Sequence, residues 1–177
     1  MGKRSDFKRR KNDLYLTPFS AVIPLIPHLP EKEFKYAEPC AADGTLVRHL
    51  SDATGHRAIA TTISDIDPRD AGVEKRNALD LRFGRETELI ITNPPWSRPL
   101  LHPMISLFAS QKPTWLLFDA DWIHTKQAVP YLSMCSKIVS IGRVKWIEGS
   151  KHTGKDNSCW YLFEKNAKKT EFFPKKW

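Results

Sequence analysis

Cysteine is scarce in this chain. There are three in 177 residues, Cys40, Cys135 and Cys159, far apart and without CxxC spacing. That excludes a disulfide framework or a cysteine zinc site and fits reduced thiols in a cytoplasmic protein. Long apolar runs are also missing. None approaches the roughly 18–20 residues of a membrane span, and the opening residues lack a secretory-leader pattern, so no membrane partner is expected. No GxGxxG occurs, which removes the dinucleotide fingerprint. The acidic residues do not cluster as metal ligands, which sets aside a metal-dependent nuclease and leaves no metal site expected. Internal repeats and low-complexity tracts are absent, and no shift in composition marks a second domain.

What is present is an ordinary globular composition, 41% apolar and 27% charged, in a length that suits one domain. The net charge of +8 is unevenly placed. Residues 1–12 carry +5 and residues 165–177 carry +4, so residues 13–164 carry −1. A nearly neutral domain with a basic arm at one end and a basic tail at the other suits a phosphate backbone, where each neutralised phosphate releases counterions. A solubilising role for the two ends reads equally well from charge alone.

Hydrophobic patterning alternates between strand and helix. Residues 34–39 (FKYAEP) predict a short strand, and GTLVRHLSDATG a helix with Leu46, Val47 and Leu50 on one face and Gly55 as its stop. RAIATTIS predicts a strand, DPRDAGVEKRN a polar turn or short helix, and residues 88–92 a buried strand. LLHPMISLFASQK predicts a helix, TWLLFDA a buried strand, and TKQAVPYLSMCSK a weaker helix broken by Pro130. Two strand-rich segments, SKIVSIGRVKWIEG and SCWYLFEK, come last, without a helix between them. Ahead of all these, Thr17 is expected to cap a short helix with Pro18 at its first position. The expected fold class is α/β: a Rossmann-like, mostly parallel sheet in a single domain, with an antiparallel C-terminal hairpin at one edge.

In such a sheet, ligands bind beyond the carboxyl ends of the strands. There the sequence places EPCAADGTL after the first strand, SDIDP after the second, NALD a little later, NPPW after the fourth and DADW after TWLLF. Asp43-Gly44 at a helix entry makes a tight turn that lets a ligand approach backbone N–H groups, or is a plain turn; no Walker lysine comes after it. Asp65 is placed to accept from ribose hydroxyls, or to cap the next helix, as Asp67 equally can. Asp80 can accept from an adenine amine, with Ile66 and Leu81 on the base faces, or is a solvated turn carboxylate. Asn93-Pro94-Pro95-Trp96 is the unusual element. Two prolines cannot continue a central strand, and an amide and an indole flank them.

This order of motifs resembles the class I S-adenosylmethionine-dependent methyltransferases, specifically the amino-methylating group, whose signature is Asn or Asp, two prolines and an aromatic. The resemblance runs from Tyr15 to about Phe163. Tyr15-Leu16-Thr17-Pro18 is similar to the segment preceding the first strand in N6-adenine enzymes, as found among small phage and prophage methyltransferases. Glu38-Pro39-Cys40-Ala41-Ala42-Asp43-Gly44 is similar to their glycine loop, with Ala42 where glycine is usual. The resemblance implies S-adenosyl-L-methionine as cofactor, held by Tyr15, Thr17, Glu38, Pro39, Cys40, Ala41, Asp43, Gly44, Asp65, Ile66, Asp80, Leu81 and Asn93. It implies that Asn93, Pro94, Pro95 and Trp96 are catalytic.

The chemistry of the corner agrees. An adenine amine is a poor nucleophile because its lone pair is delocalised into the ring. Two acceptors aimed at its N–H groups, the Asn93 side-chain oxygen and the Pro94 carbonyl, favour localisation of that lone pair. Trp96 can stack on the base. In a duplex the base must be flipped out, and a second wall is needed. Trp146 and Trp160 are candidates for that wall, and core packing is the other reading of each. Arg98, and Lys151 and Lys155 in the loop Ser150–Ser158, are candidate contacts to the polymer.

The expected activity is adenine N6 methylation, on DNA in preference to RNA, with a specificity partner as an option because no recognition domain is evident. The Asn-first corner also occurs in guanine-N2 and release-factor glutamine methylases. A non-catalytic nucleic-acid-binding module with this fold is the reading from a different class.

Overall fold

A strand buried on both faces needs apolar residues at nearly every position, and four segments meet that condition. A computed structural model describes residues 15–147, 149, 151 and 153–176. In it Phe34–Glu38 forms β1, Ala58–Asp65 β2, Glu74–Lys75 β3, Leu89–Thr92 β4, Thr114–Asp119 β5, Cys135–Arg143 β6, Asn157–Phe163 β7 and Glu171–Phe173 β8. Positions in β1, β4, β5 and β7 are almost all buried. The helices are α1 (Phe19–Val22), α2 (Thr45–Ala53), α3 (Arg98–Gln111) and α4 (Val129–Leu132).

All eight strands form one sheet in the order β3-β2-β1-β4-β5-β7-β6-β8. β1 to β5 are parallel neighbours, and β7 runs antiparallel between β5 and β6. The two faces carry separate cores. On one, Val22, Leu25, Leu46 and Leu50 pack with Trp115 and Trp160. On the other, Met104, Ile105 and Phe108 of α3 pack with Phe118, Tyr161 and Phe163. The order reverses between β1 and β4, so the carboxyl ends of these two strands open the crevice where ligands bind in open α/β sheets.

The predicted α/β architecture is therefore observed, with four local differences. β6 and β7 are antiparallel as expected, but the edge belongs to β8, which lies outside β6 and parallel to it. That strand falls in the lysine-rich stretch 165–177, where composition hides a three-residue Glu-Phe-Phe strand. DPRDAGVEKRN contributes the short, exposed β3. The segment around Pro130 forms 3₁₀ turns and the single α-turn of α4, because a proline there removes a helical donor. Pro18 takes the cap position of α1 and no side chain caps it, so Thr17 does not serve as cap. Residues 1–12, the basic arm, lie outside the described residues. Among the described residues no helix is long and apolar enough to cross a membrane.

Candidate active site

The loop after β1 is built by backbone bonds and one carboxylate. Ala41 N–H donates to the Ser64 carbonyl (2.9 Å), Gly44 N–H to the Ala41 carbonyl (2.7 Å) and Ala42 N–H to Asp65 Oδ2 (2.9 Å). Asp65 Oδ1 accepts from Asp67 N–H at 2.8 Å. Asp65 thus ties the end of β2 to the loop after β1, and Asp67 is the donor in that turn. Ala42 holds a left-handed backbone, φ 52°. Left-handed geometry costs an L-residue about 1–2 kcal/mol, which glycine avoids. Ala42→Gly is therefore expected to raise stability by about 1 kcal/mol, part of the gain being offset by glycine's unfolded-state entropy. A thermal melt checks this, and an unchanged or lower midpoint would count against strain at Ala42.

Asp43 and Gly44 start α2. Gly44 caps it with φ 75°, and Asp43 Oδ1 accepts from Thr45 N–H at 2.9 Å. The Asp43 carboxylate is therefore engaged with its own helix start and with Arg48, 3.8 Å away.

Glu38, the last residue of β1, is fully buried. Its Oε1 accepts from the Thr92 hydroxyl at 2.6 Å, joining the ends of β1 and β4, while Oε2 has no partner. Burial drives its pKa up to about 8, and the nearby Asp65 adds to the rise against the opposing bonds from Thr92 and Cys40. The folded carboxyl thus keeps its proton between pH 4.5 and about 8, where the unfolded one has released it. Stability falls as pH rises through that window and is level above it. Glu38→Gln, which cannot ionise, is expected to melt at the wild-type temperature near pH 4 and increasingly above it towards pH 8. A constant difference across that range would refute the buried-acid assignment.

A cleft beside Glu38 is lined by Tyr15, Leu16, Thr17, Cys40, Ala41, Ala42, Thr45, Leu46 and Asn93. It gathers Tyr15, Thr17, Glu38, Cys40, Ala41 and Asn93 of the expected cofactor residues, from three separate stretches of chain. Pro39 is buried and does not line it. Burial also pushes the Cys40 thiol up, so it stays protonated. Ile66 is 58% exposed at the tip of β2, Asp80 is exposed, and Leu81 is buried; none of the three lines the cleft itself.

The corner meets the cleft through Asn93, its one residue in the lining. Asn93 Nδ2 donates to the Tyr15 carbonyl at 3.0 Å, which fixes which end of the amide is oxygen. Trp96 Nε1 lies 3.3 Å from Asn93 Oδ1 and 3.2 Å from the Leu117 carbonyl, sharing its proton between them. An amide oxygen has two lone pairs, so Oδ1 retains acceptor capacity. Trp146 meets Trp96 edge to face (5.6 Å, 82°) and lies 6.3 Å from the Tyr15 ring. Gly154 lies over Trp146. A Cβ there would stand 3.1 Å from the indole and 3.0 Å from the Val144 carbonyl. Trp160 is wholly buried and donates to the Ala21 carbonyl at 2.7 Å, so it is a core residue.

Arg98 opens α3 and donates to Gln127 Oε1 at 2.8 Å, in a groove with His102 and Tyr131 apart from the cleft. Lys151 and Lys155 are exposed in the β6–β7 loop; Ser150 lies outside the described residues. Sequence reasoning misses Thr92 as a residue of the site, and reads Ala42 only as the replacement of a loop glycine. A polar residue closing an apolar strand is the available signal for Thr92. Among the described residues no group of three or more His, Cys, Asp or Glu is placed to hold a metal.

The sheet order, with β7 inserted antiparallel, is that of the class I methyltransferase fold. No protein-family model matches the chain, and no curated protein matches it by sequence. Solved structures share the fold. A Pyrococcus horikoshii protein assigned as an RNA methyltransferase superposes with TM-score 0.59 at 15% identity, over 93% of each chain. A dimethyladenosine transferase from Plasmodium falciparum gives 0.52 at 18% identity, over 86% of this chain and 63% of that one. The methyltransferase subunit of a type I restriction-modification system from Streptococcus thermophilus gives 0.58 at 7% identity, over 90% of this chain and 47% of that one. The chain thus spans less than two thirds of the last two.

Proposed function

We propose that this chain is an S-adenosylmethionine-dependent methyltransferase acting on the exocyclic N6 amine of adenine in DNA. The observation that carries the reading is the position of Asn93. Its amide is held by Tyr15 and Trp96 at the carboxyl end of β4, in the lining of a cleft that also includes Glu38, whose carboxyl has one buried, unpartnered oxygen. Glu38 Oε2 suits the ammonium of the cofactor's methionine part, whose positive charge favours release of the proton that burial otherwise holds on the carboxyl, and Asp65 at the tip of β2 suits its ribose. S-adenosylmethionine, when bound, supplies a methyl group on a sulfonium, an excellent leaving group. Asn93 Oδ1 and the Pro94 carbonyl hold the amine, and the two prolines keep that geometry at little entropic cost. Trp96 and Trp146 offer aromatic surfaces for the base, where stacking contributes about 1–3 kcal/mol. Neither amide nor proline takes up a proton, and none has to. The methylated cationic amine releases its proton to water.

The solved structures with this fold include ones described as acting on RNA and one from a restriction-modification system, so RNA is the second reading. Arg98, Lys151 and Lys155 are the proposed polymer contacts, and a separate specificity subunit is the proposed source of sequence context. The test is transfer of labelled methyl to single- and double-stranded DNA, RNA and a glutamine peptide, with nucleoside analysis of the products. N6-methyladenine in DNA is expected. Label confined to RNA would keep the chemistry and move the substrate. Cofactor binding without transfer to any polymer would favour the non-catalytic module.

A further inference from the structure

By charge alone the last thirteen residues are one basic tail, with lysines at 165, 168, 169, 175 and 176. The fold divides that tail between opposite ends of the sheet. β7 ends at Phe163, opposite Thr114 at the start of β5, so the chain leaves it at the end away from the corner. Glu164 N–H donates to the Met134 carbonyl and the Thr170 hydroxyl to the Cys135 carbonyl, each at 2.7 Å, which holds the turn there. Lys165, Lys168 and Lys169 belong to this far end, where Lys169 pairs with Glu171 at 2.6 Å.

β8 then runs parallel to β6, in register from Lys137 with Glu171 to Val139 with Phe173. β6 opposes β7 and β7 opposes β5, so β8 points the same way as β5, towards the corner's end. The Phe173 ring packs on His28, centroids 4.4 Å apart, which anchors the strand. Two residues on, Lys175 lies against Gly142; a Cβ on Gly142 would stand 3.2 Å from Lys175 Cδ and 3.4 Å from its Nζ. Arg143 closes β6 next to Gly142. Lys145 comes two residues after Arg143, beyond the buried Val144, and then Trp146, which meets Trp96 of the corner. Arg143, Lys145 and Lys176 are exposed. Asp119 at the end of β5, Asp121 just after it and Asp156, beside the β7 residue that pairs with Arg143, stand at this end too, so the cationic path runs along the β8 side of β6.

Resting on the nucleic-acid reading above, we propose that Lys175, Lys176, Arg143 and Lys145 form a surface that holds the phosphate backbone beside the target base. Lys165 and Lys168, on the same tail, take no part. The strand β8 is what carries two of the tail's lysines the length of the sheet.

The test compares two charge reversals with the same net change: Lys175→Glu with Lys176→Glu, and Lys165→Glu with Lys168→Glu. Binding of labelled single-stranded and duplex oligonucleotides is measured by anisotropy across a salt series, with melting temperature as the check on folding. The first pair is expected to weaken binding at least about tenfold and to lower the slope of log K against log salt by about 1–2, as loss of two phosphate contacts requires. The second pair is expected to stay within about twofold of wild type. Lys175→Gln with Lys176→Gln should lower the slope in the same direction if the reversal disturbs folding. Equal losses from both tail pairs, or none from the first, would overturn the proposal while leaving the methyltransferase reading intact. Absence of salt-dependent binding by the wild-type chain would remove the nucleic-acid reading itself, and this surface with it.

Discussion

Replacing Asn93 by alanine is expected to lower the rate constant for methyl transfer by at least about 100-fold while cofactor binding persists. The size reflects what removing one preorganised hydrogen-bonding group costs when charge develops at the reacting atom. Alanine deletes the acceptor proposed for the amine. It also frees Trp96, whose indole N–H keeps only the Leu117 carbonyl, and releases the Tyr15 carbonyl. Asn93→Asp is informative for the same reason. Aspartate is admissible at this position in the resembling family, but here the Tyr15 carbonyl receives an N–H that a carboxylate cannot donate. The aspartate variant should therefore retain an acceptor for the amine yet lose the tie to Tyr15. Single-turnover transfer and equilibrium cofactor binding separate the two effects. If the alanine variant transferred methyl at the wild-type rate, the corner would not be the catalytic element.

Asp65 is the second position where a large effect is expected, and the structure makes it larger than a ribose contact alone. Both carboxylate oxygens accept backbone N–H groups, from Ala42 and Asp67. Alanine would strand the buried Ala42 donor, at a cost of about 1–3 kcal/mol, and would release the loop that borders the cleft. Asp65→Asn is no milder in kind, since its amide would turn a donor towards one of the two N–H groups. Both variants should lower the melting temperature and weaken cofactor binding about tenfold or more, a change of roughly 1.4 kcal/mol or greater. Weakened binding at an unchanged melting temperature would assign Asp65 to the ligand alone. The reverse would make it a loop fastener.

How much of the molecule is legible without a fold depends on the distance over which each signal acts. The buried strands announce themselves by apolar runs, and α2 by its spacing of Leu46 and Leu50, because periodicity is a local property of the backbone. The corner is legible for a similar reason: two adjacent prolines leave a strand few choices. Trp146 and Trp160, by contrast, sit in comparable strand-rich segments, and nothing local separates them. Only packing shows that Trp160 faces Ala21 in the core and Trp146 faces Trp96. Ala42 reads as a substitution in a loop; its left-handed backbone and its bond to Asp65 depend on a residue 23 positions away. Glu38 is legible as a motif residue, but that its carboxyl is buried with one oxygen unpartnered shows only once β1 and β4 close around it.

The tail shows the same division at larger scale. Lysines crowd the last thirteen residues, and the residue order alone establishes that, since charge is countable without a fold. It also establishes the α/β alternation and the chemistry available at Asn93-Pro94-Pro95-Trp96, because both derive from neighbouring side chains and from proline's missing N–H. Tertiary structure alone decides which lysines reach the corner's end, which tryptophan meets Trp96, and which carboxyl is buried with one oxygen unpartnered. Each of these is a distance between segments remote in the chain. Such distances are set when strands choose neighbours and direction, and the parallel pairing of β8 with β6 is the choice that splits the tail.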